Sequence, residues 1–412
     1  MVELDRRADE VQDEMKLPHL TPEEFLLDTF RLGRAVYETG FRPKHVLSIW
    51  RGGTPVGLGV DEFFRTRGIF LDHTAIATES YTGIAERKQV TVKGLEHVIE
   101  VVCREDGLLI VDDVLETGHT IKRILEVLEE RARANLPEDI RVATLHRKPE
   151  RIEFDQRIPV ITLKDLPGDL WIDYPHELCD LVQPDDPEDR LIREKDEEIW
   201  KLLRGEAEAV PEDLESDEEQ IVLTARELLL DSIRLGLMIA RDEAYRPDFL
   251  VALWPGGISC GLPVHEVLKV AASKRPGGTV PDHFSLTTAS TRTSYRSQII
   301  GAQYLAERIT KRHNVLIVDT TFRSGQVIND VLIKLKEALR RNLNMDGVRV
   351  AGVYYNPEDR STWTVPRIID QPHYYVRKVR QEVVYPHSIH KLPARSRPLR
   401  ERNPELSRII SG

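Results

Sequence analysis

Cysteine is scarce: Cys103, Cys179 and Cys260 are the only three in 412 residues. Their separations fit neither a zinc-ligand pattern nor a disulfide framework, which excludes a stapled secreted scaffold and agrees with a reducing cytoplasm. Long apolar runs are missing as well. No segment approaches the roughly 20 residues of a membrane-spanning helix, and Met1-Val-Glu-Leu-Asp-Arg-Arg-Ala-Asp-Glu10 lacks the apolar centre of a secretion signal. Basic charge is short too: 58 Lys and Arg stand against 69 Asp and Glu, a net charge of −11. That balance argues against nucleic acid or a membrane surface as partner, so small anionic ligands must be drawn in by local groups. A length of 412 residues suits two or three domains with ample cores. The expected location is the cytoplasm.

The stretch Gly107-Leu-Leu-Ile-Val-Asp-Asp-Val-Leu-Glu-Thr-Gly-His-Thr120 organises the rest. Leu108 to Val111 read as a strand buried on both faces, as in a parallel sheet covered by helices. Asp112 and Asp113 fall at its carboxyl end, where open α/β sheets place their ligands. Glu116-Thr-Gly-His-Thr120 then opens a helix whose Ile121, Ile124, Leu125 and Leu128 keep helical spacing. A Thr- and Gly-containing loop at a helix start offers free N–H groups and the positive end of the helix dipole, which suits a phosphate. Two adjacent acids beside it suit a vicinal diol or Mg²⁺.

The chain also repeats itself. Leu26 to Gly33 of a predicted helix, the Arg42-Pro43 pair and a strand ending in Trp50-Arg51-Gly52-Gly53 return as Leu229 to Gly236, Arg246-Pro247 and Trp254-Pro255-Gly256-Gly257. Ser80-Tyr81 returns as Ser294-Tyr295, Leu109-Ile-Val-Asp112 as Leu316-Ile-Val-Asp319, Arg141-Val-Ala143 as Arg349-Val-Ala351, and Tyr174-Pro-His176 as Tyr385-Pro-His387. The offset is 204 at Trp50 and Trp254, 211 at Tyr174 and Tyr385, and 214 at the Ser-Tyr pair, as when only loops change length. This is a tandem duplication of one α/β unit rather than a solenoid. The expected division is a lead-in at 1–20, a first domain at 21–182, an acidic solvated linker at 183–219, a second domain at 220–391 and a basic tail at 392–412. The tail is expected either disordered or as an arm on the acidic body.

Val111 to Thr120 resembles the phosphoribosyl pyrophosphate (PRPP) motif of type I phosphoribosyltransferases. Trp50-Arg-Gly-Gly53 resembles their pyrophosphate loop, Ser80-Tyr81 the start of a mobile flap reaching Gly94, Leu145-His-Arg-Lys-Pro149 the strand with a base-contacting Lys, and Trp171-Ile-Asp-Tyr-Pro175 the hood over the base. The xanthine, guanine and hypoxanthine enzymes are the nearest type. The resemblance implies two tandem domains of α/β class, each a mainly parallel sheet flanked by helices with a small hood. It also implies Mg²⁺-dependent transfer of 5-phosphoribose from PRPP to a purine or purine-like base.

On that resemblance Arg51, Gly52, Gly53, Ser80, Tyr81, Asp112, Asp113, Thr117, Gly118, His119 and Thr120 bind PRPP. Asp112 and Asp113 serve the metal, directly or through water. Lys148, Trp171, Ile172 and Asp173 meet the base, and Glu116, where relatives often carry Asp, is the candidate general base. The second copy has Pro255 for Arg51, Thr320 for Asp113, Arg323 for Glu116, Asn356 for Lys148 and Glu382 for Trp171. It keeps the scaffold and is expected to be degenerate, covering the surface a homodimeric relative would use. Two other readings stay open: a non-catalytic regulator that binds PRPP or nucleotides, and a phosphotransferase or hydrolase on the same scaffold. Assembly into a homo-oligomer is also open. His387 and His390 have no second ligand cluster, which speaks against zinc.

Overall fold

A computed structural model describes residues 18–80, 90–153, 158–183, 185–207, 211–214, 218–289, 298–300, 302–358 and 367–412. The first copy begins with helix α1 (Pro22–Glu38), started by Thr21: its hydroxyl accepts the Glu24 N–H at 3.2 Å, while the Glu24 carboxylate accepts the Thr21 N–H at 2.9 Å. This reciprocal cap, with Pro22 at the first turn, satisfies two donors that a helix start otherwise leaves open. Then follow β1 (His45–Trp50), α2 (Gly53–Thr66), β2 (Asp72–Ser80), β3 (Val90–Lys93), α3 (Glu96–Val101), β4 (Gly107–Leu115), α4 (His119–Ala132), β5 (Asp139–Arg147) and β6 (Val160–Asp165).

The second copy repeats this plan after two helices, α5 (Arg190–Lys195) and α6 (Glu197–Arg204), and a short strand β7 (Gln220–Val222). Its elements are α7 (Ala225–Arg241), β8 (Phe249–Trp254), α8 (Gly256–Ser273), β9 (Asp282–Ala289), β10 (Gln298–Ile300), α9 (Ala302–Arg308), β11 (Val315–Phe322), α10 (Gln326–Leu339), β12 (Val348–Tyr355) and β13 (Tyr374–Lys378). Thr224 and Glu227 form the same reciprocal cap on α7 as Thr21 and Glu24 on α1. Strand β14 (Glu382–Val384) pairs with β7, and two helices close the chain, α11 (Arg397–Arg402) and α12 (Pro404–Ser411).

The two sheets have one topology, β3-β2-β1-β4-β5-β6 and β10-β9-β8-β11-β12-β13. Five strands in each run parallel and the outermost, β3 or β10, is antiparallel. β1 is buried along its whole length and Leu108 to Val111 of β4 are fully buried, as helices on both faces require. From β1 the chain winds outward to β2, and from β4 outward to β5. The gap between their carboxyl ends is therefore the switch point at which such sheets open a crevice.

The copies meet through equivalent surfaces: β2 faces β9, α2 faces α8 and α1 faces α7. Trp50 of the first copy lies 5.4 Å from the His283 ring of the second, and Trp254 of the second lies 4.4 Å from the His73 ring of the first. Reciprocal contacts of this kind define an isologous interface, here formed within one chain. No helix among the described residues is long and apolar enough to cross a membrane.

The connecting and terminal segments are more ordered than their composition suggests. In the segment expected to be a solvated linker, Ile192, Ile199 and Leu202 are buried against Leu229, Leu230 and Ile233 of α7. The apolar residues were few, yet their helical spacing puts them on one face. In the tail, Leu399, Leu406 and Ile410 join the core of the first copy with Phe25, Phe30 and Leu32. The tail is an arm rather than a disordered end, and it docks on the opposite copy from the one it leaves.

Candidate functional site

Asp112 and Asp113 lie at the end of β4, half-buried, with the Asp113 N–H donating to Asp112 Oδ1 at 3.1 Å and the Val114 N–H to Asp113 Oδ1 at 2.8 Å. Burial and then the neighbouring Asp113 charge push the Asp112 carboxyl well above its ordinary value. Burial raises Asp113 as well, against its backbone hydrogen bonds and the charge of Arg51. Gly52 and Gly53 bring the loop after β1 onto this pair. A Cβ at Gly52 would stand 2.0 Å from Asp113 Oδ2, and one at Gly53 would stand 2.5 Å from the Val111 carbonyl oxygen. Both contacts are far inside van der Waals distance: at Gly53 the obstacle is backbone, and at Gly52 the Asp113 carboxylate would have to turn away.

Past the acids, Gly118 takes a left-handed backbone (φ 79°) and α4 starts at His119. Gly118 has no side chain to cap the helix and the His119 N–H reaches only Thr117 Oγ1, at 3.4 Å, a helix start of the kind that suits an anion. His119 is exposed and its Nε2 lies 2.8 Å from Glu153 Oε2. It therefore offers the loop its backbone rather than its ring.

Glu116 and Lys148, which the resemblance assigned separate roles toward the base, are in direct contact: Lys148 Nζ donates to Glu116 Oε1 at 3.2 Å. Arg151, not anticipated, donates to the same oxygen. Lys148 Nζ lies 6.0 Å from the Trp171 ring centroid, and Trp171 is 53% exposed, a large aromatic face open beside a cation. Ile172 packs against the first core.

Asp173 is placed differently from the expectation that it accepts from a base. It is buried, its carboxylate is held by Lys195 Nζ at 2.7 Å and His19 Nδ1 at 2.9 Å, and its backbone pairs with Pro18 and Leu20. A carboxylate this deep needs such partners, and they occupy it. Lys195 also donates to the Tyr174 and Glu177 carbonyl oxygens, each at 2.6 Å, which ties the hood segment to α5. Beneath it, burial raises the Glu177 carboxyl to about 7, helped by Asp113 and Asp173.

Arg51 sits in the loop on the acid pair, and its Nη1 donates to Glu266 in α8 of the second copy. Local pattern gave no sign of this partner. The available signal was a lone carboxylate inside the apolar run Gly261-Leu-Pro-Val-His-Glu-Val-Leu268, at the repeat offset from Glu62 (266 − 62 = 204). Ser80 ends β2, whereas Tyr81 and the flap from 81 to 89 lie outside the described residues.

The second copy keeps the frame with other side chains at several of these positions. Gly325 repeats the left-handed start (φ 74°) before α10, Asp319 is raised to about 6 by burial, and Thr320 follows it. Arg323, Ser324, Tyr355, Asn356, Arg367 and Asp370 line a cleft of about 260 Å³ where the first copy holds Glu116 and Lys148.

Residues 35–175 match the family model "Phosphoribosyl transferase domain", and this stretch is a domain of that kind. No curated protein sequence matches the chain significantly. Among solved structures, a hypothetical protein from Neisseria gonorrhoeae with bound ppGpp is similar at 19% identity over 45% of this chain and 99% of its own, with a TM-score of 0.34. A purine phosphoribosyltransferase from Pyrococcus horikoshii shares 16% identity over 41% of this chain and 94% of its own, with a TM-score of 0.29. A hypoxanthine phosphoribosyltransferase from Staphylococcus aureus shares 22% identity over 39% of this chain and 81% of its own, also at a TM-score of 0.29.

Proposed function

We propose that the first copy, residues 21–182, transfers 5-phosphoribose from PRPP to a purine or purine-like base and releases pyrophosphate, and that the second copy, residues 220–391, does not carry this reaction. The observation that supports this reading most is the convergence at one switch point of two acids, a Gly-Gly loop with no room for a Cβ and a helix start opened by Gly118. A phosphate, a diol and a second phosphate group have complementary partners there within one crevice.

In this reading Asp112 and Asp113 accept hydrogen bonds from the 2- and 3-hydroxyls of the ribose. The N–H groups from Gly118 to Thr120, with the Thr117 and Thr120 hydroxyls, hold the 5-phosphate. Arg51 meets the leaving pyrophosphate, whose oxygens match a guanidinium fork. Lys148 donates to an exocyclic oxygen of the base while Trp171 covers its ring. Glu116 takes the proton of the attacking ring nitrogen, after that nitrogen displaces Arg151 from the carboxylate. The hard oxygens of Asp112 and Asp113 suit Mg²⁺, which binds through one or two carboxylates plus substrate phosphates and would neutralise charge on the pyrophosphate. Asp173 is left out of the base site, because Lys195 and His19 occupy it.

The test is pyrophosphate release from PRPP with Mg²⁺ and a panel of purine bases. Release that depends on one of them is the expected result. Tight PRPP binding with no release from any base would favour the second reading, a PRPP- or nucleotide-binding regulator. The engagement of Glu116 by both Lys148 and Arg151 is the observation that favours it.

A further inference from the structure

Two buried carboxylates occupy matching positions of matching helices. Glu62 in α2 and Glu266 in α8 are separated by the same 204 residues as Trp50 and Trp254, and each is 1% exposed. Each crosses to the other copy and receives the chain just past its Tyr-Pro-His segment. Glu266 Oε2 accepts the N–H groups of Leu178 at 3.1 Å and Cys179 at 2.9 Å. Glu62 Oε1 accepts the N–H of His390 at 2.6 Å. Cys179 and His390 are themselves equivalent, since 390 − 179 equals 385 − 174, the offset of the two tyrosines. Up to this point the interface is two-fold symmetric.

The symmetry breaks at the remaining donors. Glu266 Oε1 receives Arg51 Nη1 and, at 2.8 Å, Lys269 Nζ. Around Glu62 the residue equivalent to Arg51 is Pro255, which brings no side-chain donor, and the His390 imidazole fills the place, with Nδ1 at 2.8 Å from Oε2. The same carboxylate therefore grips a functional loop in one direction and only a packing histidine in the other.

We infer that the second copy completes the pyrophosphate site of the first: Glu266 is a positioning residue that fixes the Arg51 guanidinium over the acid pair. The inference rests on the reading of Arg51 as the pyrophosphate contact. Glu266 is an anchor rather than a lock. It keeps three other donors, Lys269 and two backbone N–H groups, so it has no reason to leave when an anion arrives. Arg51 uses Nη1 alone among the described residues and its side chain remains 31% exposed, so it keeps donors for a ligand. With Lys269 the trio carries one net positive charge, which still attracts an anion. Burial acts to raise the Glu266 carboxyl, yet the charges of Arg51 and Lys269 bring it down to about 2, so the anchor stays ionised. Holding Arg51 in place beforehand removes the rotamer freedom it would otherwise lose on binding.

The test is calorimetric titration of the full chain with Mg²⁺ and inorganic pyrophosphate as the probe. Arg51→Ala should weaken binding by about tenfold or more, as expected for a charge-assisted contact. Glu266→Gln, which keeps the shape and an acceptor, should weaken it roughly three- to tenfold, and Arg51→Ala with Glu266→Gln should bind no worse than Arg51→Ala alone. Glu62→Gln, equally buried on the same interface, should bind like the wild type. Should Glu266→Gln fail to fold, Arg51→Ala alone serves: millimolar guanidinium, docking on the retained Glu266, should restore much of the lost affinity. Unchanged binding in Arg51→Ala would remove the assignment of Arg51 itself. A loss in Arg51→Ala with multiplicative effects in the double variant, with equal losses in Glu62→Gln and Glu266→Gln, or with no guanidinium rescue, would overturn the role of Glu266 and leave that assignment standing.

Discussion

Glu116 carries Lys148 and Arg151 on a single oxygen, so in the free protein the candidate base is held by two cations while part of its side chain still meets solvent. Replacing it by Gln keeps both hydrogen bonds and removes only the proton acceptor. Steady-state kinetics should then show kcat for Glu116→Gln falling about 10²-fold or more while KM for PRPP stays within a few fold; equal losses in both would defeat the assignment. Glu177 yields a pH prediction. Its folded pKa, raised to about 7 from an ordinary 4.5, means its contribution to stability is fully present below about 4.5 and is lost as pH rises through 7. Glu177→Gln should therefore unfold at higher denaturant than the wild type at pH 8, with the gain vanishing near pH 4.5; a constant gain at every pH would contradict the burial of its charge. At this scale Asp112, Asp113 and the Thr117-Gly118 loop were readable because their partners are neighbours in the chain. Asp173 was misread because its partners, His19 and Lys195, lie in the lead-in and the linker.

The Gly-Gly loops show how one element is fitted to its site. A Cβ at Gly52 would stand 2.0 Å from Asp113 Oδ2, while at the matching Gly256 the nearest atom is Thr320 Oγ1 at 3.0 Å. Gly52→Ala should cost roughly 1–3 kcal/mol by overpacking and weaken PRPP binding, whereas Gly256→Ala should cost visibly less, compared by urea midpoints. Equal costs would mean that close approach to the acid is not what Gly52 serves. The strands and helices were legible from apolar periodicity, from the Thr21 and Thr224 caps and from repetition, because these are local signals. The docking of α5, α6, α11 and α12 was not, since charge-rich composition conceals the few apolar residues that decide where a short helix docks.

Across the whole molecule, duplication supplies within one chain the interface that two subunits would otherwise share, and the tail then binds the copies a second time. Ile410 lies in the core of the first copy. Ile410→Ala should cost about 2–5 kcal/mol, and unfolding followed at Trp50 should shift with it; a shift confined to the second copy would mean the tail is not part of the first core. The duplication was legible in the sequence, and so was the loss of chemical groups in the second copy. How the copies face each other was not, because Trp50 with His283, Trp254 with His73 and Arg51 with Glu266 are contacts over more than 180 residues with no local pattern. The account claims one catalytic copy supported by one that is not. The most direct measurement compares pyrophosphate release by Asp113→Asn and Asp319→Asn in the full chain with PRPP, Mg²⁺ and the accepted base. It predicts a loss of about 10²-fold or more for Asp113→Asn and less than about twofold for Asp319→Asn; comparable losses in the two variants, or a loss in Asp319→Asn alone, would contradict it.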